Sequence, residues 1–151
     1  MDRIAEAADS SKAMIYAYFE SKDRLFDAVF DALVVQNLHD VPLDINNLPE
    51  YAARQYDQHL QHPEVLRLSF WDTLERAGQG LKASAVTDTT AHKISQLRLA
   101  QQRGVISDRF EPHTLLELIL ALTQMHAVSD AKADQQDRRR AAIKEAVQAL
   151  I

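Results

Sequence analysis

The chain has 151 residues, of which 46% are hydrophobic and 26% charged, and this predicts one compact globular domain, or one small element attached to a larger one. A formal net charge of −5 argues against a protein whose whole surface embraces nucleic acid, and leaves a small local contact open. Cysteine is absent, no secretory signal opens the chain, and no apolar run approaches the roughly 20 residues that span a bilayer, so we expect a cytoplasmic protein.

Glycine and proline fall between segments whose apolar residues recur three or four positions apart, which is typical of helical proteins. No stretch alternates apolar and polar residues over the length of a strand, so we predict an all-α fold with seven or eight helices. The predicted helices, in chain order, are Asp2 to Ala8, Ser11 to Phe19, Lys22 to about Asp40, Leu48 to Gln61, Pro63 to Ala77, about Thr87 to Arg103, Glu111 to about Ser129, and Asp134 to Leu150.

The first two predicted helices are joined by Asp9 and Ser10 alone, which is the tight connection of a helix-turn-helix. On the second helix, Ile15 and Phe19 lie four positions apart and are expected to face inward, while Ser21 is expected to cap the next helix. The outward positions carry hydroxyl, cationic, aromatic and small side chains that suit contact with a DNA groove and its phosphates. The predicted DNA-binding residues are Ser11, Lys12, Ala13, Tyr16, Tyr18 and Lys22. An ordinary helical hairpin with solvated polar residues is the alternative.

Residues 4 to 29, IAEAADSSKAMIYAYFESKDRLFDAV, resemble the signature of tetracycline-repressor-like (TetR family) transcriptional regulators. The matching positions are Ile4, Ala5, Ala8, Ser11, Ile15, Tyr16, Tyr18, Phe19, Ser21, Lys22 and Leu25. Residues 48 to 75 also resemble one subgroup of that family's larger domains. The resemblance implies an all-helical homodimer that binds double-stranded operator DNA through a helix-turn-helix head and holds a small molecule in a second domain.

Three departures from the family pattern concern the head. Asp9 stands where the family has a glycine and is expected to adopt a left-handed conformation at some cost, and Ser10 stands where the family has a valine. The family's first DNA-binding helix has no counterpart in this sequence, so we expect a truncated head. We predict a partial helix-turn-helix domain with its connecting helix at residues 1–40, and a ligand-binding and dimerisation domain, a helical bundle, at residues 41–151.

Apolar and aromatic side chains with a few polar groups in the larger domain are suited to a pocket for a small apolar or amphipathic effector. The predicted ligand-binding residues are Tyr56, Phe70, Trp71, Leu74, Met125 and His126. For any one of them, plain core packing is the alternative. The helix from Glu111 is apolar nearly all round, so it either runs through the domain centre or meets a partner, and we expect the last two helices to form the dimer face.

Signals for enzymatic chemistry are absent from the sequence: it contains no glycine-rich phosphate loop, no nucleophile elbow and no metal-binding histidine pair. We therefore predict no catalytic residues, no cofactor and no metal, and we expect the six histidines at the surface. The run Arg138 to Arg140 is expected on a solvated or inter-subunit ion-pair face because acidic residues surround it.

Together these features predict a DNA-binding transcriptional repressor that a small-molecule effector releases from its operator. The alternative is a dimeric helical protein that binds a small molecule but no longer binds DNA, because the first helix of the head is absent. A shift of a promoter fragment in a gel that depends on salt separates the two.

Overall fold

The computed structural model describes residues 1–80, 84–124 and 133–151, with the side chains at positions 34, 35, 38, 39 and 133 outside the description. Within these ranges the chain forms eight α-helices and one short 3-10 turn, Ile45–Asn47, with no strand, which confirms the predicted all-α fold. The helices are α1 (Asp2–Ala7), α2 (Lys12–Phe19), α3 (Lys22–Asp40), α4 (Leu48–Gln61), α5 (Pro63–Arg76), α6 (Ser84–Gln102), α7 (Pro112–Gln124) and α8 (Ala133–Leu150).

Helix α4 lies at the centre of the larger domain, where it packs against α5, α7 and α8. Its apolar side chains join those of α6, α7 and α8 in one buried cluster, and such burial is the main favourable term in folding. The cluster comprises Val41, Leu48, Tyr51, Ala52, Tyr56, Leu66, Leu97, Ala100, Ile106, Leu115, Leu116, Ile119, Ile143 and Val147. Leu115 and Ile119 are fully buried on α7, so this nearly all-apolar helix passes through the domain and is covered by its own subunit on that face.

Ion pairs fasten α8 onto α4. The guanidinium of Arg140 contacts Asp57 at 2.9 Å and Glu50 at 2.7 Å, and Lys144 contacts Glu50 at 2.8 Å. Hydrogen bonds from the Lys144 and Arg140 side chains lower the pKa of Glu50 from 4.5 to about 2. Arg140 is therefore paired within its own subunit, which corrects the prediction of a solvated or inter-subunit face at this position.

The start of α6 differs from the sequence prediction. Helix α6 is described from Ser84, about one turn before the predicted start, and the Thr87 hydroxyl donates to the Ser84 carbonyl at 3.0 Å. A threonine that bonds the preceding turn in this way fits inside a helix, although its propensity suggests a helix end. Helix α7 is described as far as Gln124, and the rest of its predicted span lies outside the described residues. No helix in the described part of the chain has the length and apolarity to cross a membrane.

Candidate nucleic-acid interface

Four residues, Ala8 to Ser11, connect α1 to α2, so the connection is longer than the predicted Asp9 and Ser10 because Ala8 and Ser11 are helix caps. Asp9 has a φ of +45°, in the left-handed region expected for it, and the Ser10 amide donates to the Ala5 carbonyl at 2.9 Å. Ser11 is the N-cap of α2 rather than a residue of its first turn, because its hydroxyl accepts from the Met14 amide at 3.1 Å. The turn thereby determines the angle at which α2 leaves α1.

One face of α2 holds the helix against the rest of the head. Ile15 is buried and Phe19 is half-buried, which confirms that these two side chains face inward. Helix α2 packs on α1 and on α3, and the Ser21 hydroxyl caps α3 by accepting from the Arg24 amide at 3.1 Å, as predicted. Because α1 and α3 hold the buried side of α2, the remaining side chains of α2 are exposed to solvent.

All six predicted DNA-binding residues are exposed in the structure. Tyr16 and Tyr18 are 41% and 78% exposed, so neither ring is needed to fill the core of the head. Helix α2 and its N-cap Ser11 carry five of these residues, while Lys22 opens α3. The structure thus brings these residues to one end of the chain as a set of accessible hydroxyl, ammonium and aromatic groups.

Lys12 has an acidic partner in the head. Its ammonium lies 3.0 Å from a carboxylate oxygen of Asp2, and this contact raises the pKa of Lys12 and lowers that of Asp2. Both side chains are more than half exposed, and exposed pairs of this kind are readily exchanged for other partners. A DNA phosphate can therefore replace Asp2 without uncovering a buried charge.

Arg3 is a cation of the head that the sequence analysis did not single out. It lines a recess of about 610 Å³ together with Lys22 and the apolar side chains of Ile4 and Ala7. The residues next to Arg3 in the sequence do not distinguish it from a solvated surface arginine. Only the structure shows that Arg3 on α1 and Lys22 at the start of α3 line the same recess.

The predicted ligand-binding residues are found in two different environments. Tyr56 is fully buried in the core, whereas Phe70, Trp71 and Leu74 are 44%, 42% and 82% exposed on α5. Tyr56 thus belongs to the buried core cluster, whereas the three α5 residues are at the surface of the described part of the chain. Met125 and His126, the other two members of the set, lie outside the described residues.

Trp71 and its neighbours connect α5 to α3. The Trp71 ring packs on the Phe26 ring with centroids 4.8 Å apart, and the Arg76 guanidinium lies 4.6 Å from the centroid of the same Phe26 ring. Arg76 also donates to Asp27 at 2.7 Å, so one α5 side chain holds two consecutive residues of α3. Since α3 begins at the head, this cluster joins the larger domain to the helix-turn-helix.

A buried carboxylate, that of Asp72, connects this cluster to the end of α5 and the residues that follow it. This carboxylate is fully buried, contacts Arg76 at 3.4 Å and accepts from the Gly80 amide at 3.0 and 2.9 Å. A Cβ at Gly80 would stand 3.2 Å from the carboxylate, so glycine is the residue that best admits this close approach. The i, i+4 spacing of Asp72 and Arg76 on a helix is a pattern from which this ion pair could have been predicted. Asp27, the other carboxylate that Arg76 contacts, is 49 residues away in the sequence, so no local pattern predicts that contact.

One histidine differs from the expected surface position. His59 is 6% exposed on α4, and its Nδ1 lies 3.3 Å from the Thr123 carbonyl oxygen. Burial lowers the pKa of His59 from 6.5 to about 4, because the charged form would lose its hydration. The prediction was wrong here because His59 continues the buried face of α4 one turn after Gln55 and Tyr56.

Comparison with known proteins adds an independent line of support. The family model for the N-terminal part of bacterial regulatory proteins of the tetR family matches residues 1–29, and the tetracyclin repressor-like C-terminal domain model matches residues 47–149. An HTH-type transcriptional repressor of Streptomyces coelicolor, SCO4008, is 35% identical over 129 residues, covering 85% of this chain and 67% of that protein. The crystal structure of SCO4942 from Streptomyces coelicolor, a protein assigned as a transcriptional regulator, superposes with a TM-score of 0.84 at 33% identity, covering 98% of this chain and 84% of that one.

A short capped helix that follows α1 after a tight turn, with exposed cationic and phenolic side chains, has the arrangement of a helix-turn-helix. The chain belongs to the tetracycline-repressor-like family of transcriptional regulators. Regulators of this family bind operator DNA and dimerise, so the chain is a DNA-binding transcriptional regulator and its family is one of regulators rather than enzymes.

Proposed function

We propose that the protein is a repressor whose two α2 helices enter successive major grooves of an operator, about 34 Å apart, and that a small-molecule effector releases it. The observation that carries this proposal is the exposure of both Tyr16 and Tyr18 on α2, on either side of the buried Ile15. Aromatic rings that stay exposed gain no hydrophobic stabilisation in the free protein. Contact with a binding partner explains why the helix carries such rings on its surface.

The proposed contacts divide into two kinds. Lys12 and Lys22 neutralise phosphates, and the hydroxyls of Ser11, Tyr16 and Tyr18 donate to phosphate oxygens, which together set the position of the protein on the duplex. Ala13 lets the start of α2 approach the groove wall because its side chain is a single methyl group. Since repression requires access to the operator, we place the protein in the cytoplasm with the DNA.

One observation favours the alternative, a dimer that binds a small molecule without binding DNA. Residues 1–30 hold four basic side chains against six acidic ones, and phosphate binding depends on positive charge. The proposal for DNA binding therefore requires that the cations, not the carboxylates, face the duplex. Lys12, Lys22 and Arg3 are all exposed, as this requires.

For the dimer, we propose that α7 and α8 form the shared face. Helix α8 carries an exposed face with two alanines seven positions apart, Ala142 and Ala149, at which two helices can approach closely. Ala142→Arg would place a bulky charge on that face and is expected to convert a dimer into monomers in analytical ultracentrifugation. Arg138→Ala on the same exposed face is the control that removes a charge without adding bulk.

For effector release, we propose that α3 carries the signal from the larger domain to the head. Helix α3 contacts α5, α6 and α2, and the cluster of Trp71, Phe26, Arg76 and Asp27 joins it to α5 through a ring contact and an ion pair. An effector acts by binding one arrangement of α3 more strongly than the other, and the duplex must then affect the effector site reciprocally.

Selection from a randomised duplex library, followed by titration over a range of salt, tests DNA binding directly. We expect one enriched sequence with twofold symmetry, and an affinity that falls steeply as salt rises. Dimerisation without any enriched sequence would overturn the repressor proposal and support the alternative.

The fluorescence of Trp71, the single tryptophan of the chain, tests the link to α3. We expect the enriched duplex to shift the Trp71 emission, because Trp71 packs on Phe26 of α3. Asp27→Asn removes the charged partner of Arg76 on α3 and should reduce that shift, whereas Asp31→Asn, one turn further along α3, should leave it unchanged. An identical shift in wild type and Asp27→Asn would contradict the proposed route.

A further inference from the structure

A recess of about 350 Å³ lies between α6 and the segment that follows α3. On one side it is lined by the apolar residues Pro42, Leu43 and Ile45. On the other side it is lined by one face of α6, whose contributing residues are Thr89, His92, Lys93 and Gln96. The volume is within the range of small-molecule sites, and none of the predicted ligand-binding residues belongs to it.

Lys93 is the unusual member of this lining because it is only 8% exposed. Its ammonium donates to the Tyr51 hydroxyl at 2.9 Å and lies 5.4 Å from the centroid of the Tyr51 ring. Throughout the described ranges, no carboxylate comes within ion-pair distance of the Lys93 ammonium. The buried Lys93 ammonium at the edge of the recess is therefore hydrogen-bonded to the Tyr51 hydroxyl and is not paired with a carboxylate of the described residues.

The surroundings of Tyr51 do not supply the missing charge. Tyr51 is fully buried, and its hydroxyl also accepts from the side-chain amide of Gln55 at 3.3 Å. The amide oxygen of Gln55 has no hydrogen-bond partner in the described part of the protein. Tyr51 and Gln55 therefore solvate the Lys93 ammonium in part, while a buried charge is favourable only when it is paired and fully hydrogen-bonded.

We propose that this recess binds a small carboxylate whose carboxyl group pairs with Lys93 and whose aryl or short alkyl group packs on Pro42, Leu43 and Ile45. The ammonium has three hydrogens and uses one on Tyr51, which leaves two for carboxylate oxygens. This inference rests on the proposed function, because it names the chemical class of the effector.

The position of the recess also suits an effector. Its apolar wall starts two residues after α3 ends at Asp40, and α6, which forms the opposite wall, packs on α3. A ligand that fills the space between these walls changes the separation of α6 and the end of α3. Such a change biases the same connecting helix that the Trp71 cluster holds nearer the head.

Calorimetric titration of the full chain with a charge series tests the site without DNA. The probes are phenylacetate, indole-3-acetate and octanoate, each against its amide, with phenethylamine as the cationic relative. We expect at least one carboxylate to bind roughly 10- to 100-fold more tightly than its amide, and the amine not to bind. Binding of the amide or amine as tightly as the carboxylate, or no carboxylate binding up to about 10 mM, would overturn the proposal.

Variants locate the binding in the recess. Lys93→Met keeps the length of the side chain and should abolish the preference for the carboxylate, whereas Arg98→Met, an exposed cation on the same helix, should keep it. Thr89→Trp fills the recess and leaves Lys93 in place, so loss of binding there supports the site even if Lys93→Met does not fold. Wild-type affinity in Thr89→Trp would contradict it.

The two proposals fail in different ways. Selective DNA binding without carboxylate binding would overturn the recess and leave the repressor intact. Carboxylate binding through Lys93 without any DNA binding would support the recess and overturn the repressor.

Discussion

The head and the larger domain use the same types of residue for opposite purposes. In the larger domain, Tyr51 and Tyr56 are fully buried in a continuous core, while in the head Tyr16 and Tyr18 are exposed. Among the described side chains of residues 1–40, those of Ala5, Ile15 and Phe30 are the buried apolar ones. An aromatic ring that the core does not require is available for a partner, and this difference makes the function of the head easier to infer than that of the larger domain.

The largest expected effect is on the core of the larger domain. Leu97→Ala removes a fully buried side chain and should lower the free energy of unfolding by about 2–5 kcal/mol. Leu74→Ala, at a position 82% exposed, should change it by less than about 0.5 kcal/mol. Urea unfolding measures both, and equal losses in the two variants would show that this core does not carry the stability.

The next effect concerns pH in the larger domain. Burial lowers the pKa of His59 from 6.5 to about 4 in the folded chain. Between pH 6.5 and 4 the imidazole is therefore protonated in the unfolded chain and neutral in the folded one. Stability should therefore fall as the pH falls through this window, by about 3 kcal/mol from this residue. His59→Gln should flatten the dependence of unfolding free energy on pH there, and the exposed His92→Gln should not. A wild-type slope in His59→Gln would contradict the buried neutral ring.

A smaller effect is expected where α8 meets α4. The Lys144 and Arg140 side chains lower the pKa of Glu50 to about 2, so its contribution is complete above pH 4.5 and disappears as the pH falls toward 2. Glu50→Gln should cost about 1–2 kcal/mol at neutral pH after allowance for solvent screening. The loss should vanish near pH 2, whereas the exposed Glu145→Gln should be neutral throughout.

A substitution on the exposed side of α2 in the head should have the smallest effect on stability but a clear effect on DNA binding. Tyr18 is 78% exposed, so Tyr18→Ala should leave the unfolding free energy within about 0.5 kcal/mol of wild type. The same variant should weaken binding to the enriched duplex by roughly tenfold, the value of one lost hydrogen bond to phosphate. Loss of stability without loss of DNA binding would reverse the contrast between head and core.

The sequence predicted the helices well because local signals determine them. Ser11 and Ser21 mark two helix starts, Pro63 and Pro112 open two others, and Asp9 takes the left-handed turn between α1 and α2. The domain boundary at residue 40 and the assignment of individual DNA-binding residues stay predictions.

Contacts between distant parts of the chain could not be predicted in the same way. Arg76 meets Asp27 across 49 residues, Arg140 meets Glu50 across 90, and Lys93 meets Tyr51 across 42, and no local pattern encodes such pairings. The ligand-binding residues stay a prediction for the same reason: Phe70 and Trp71 have the residue types of a pocket, and the structure places them on an exposed face of α5.

The salt dependence of duplex binding by wild type and Lys12→Gln tests most directly whether α2 faces DNA. Lys12 is exposed and its Asp2 pair is replaceable, so we expect Lys12→Gln to fold as wild type, to bind all duplexes more weakly, and to show a salt slope smaller by about one. Arg103→Gln, which removes an exposed cation at the end of α6, should retain the wild-type slope. An unchanged slope and affinity in Lys12→Gln would contradict the placement of α2 against the phosphates.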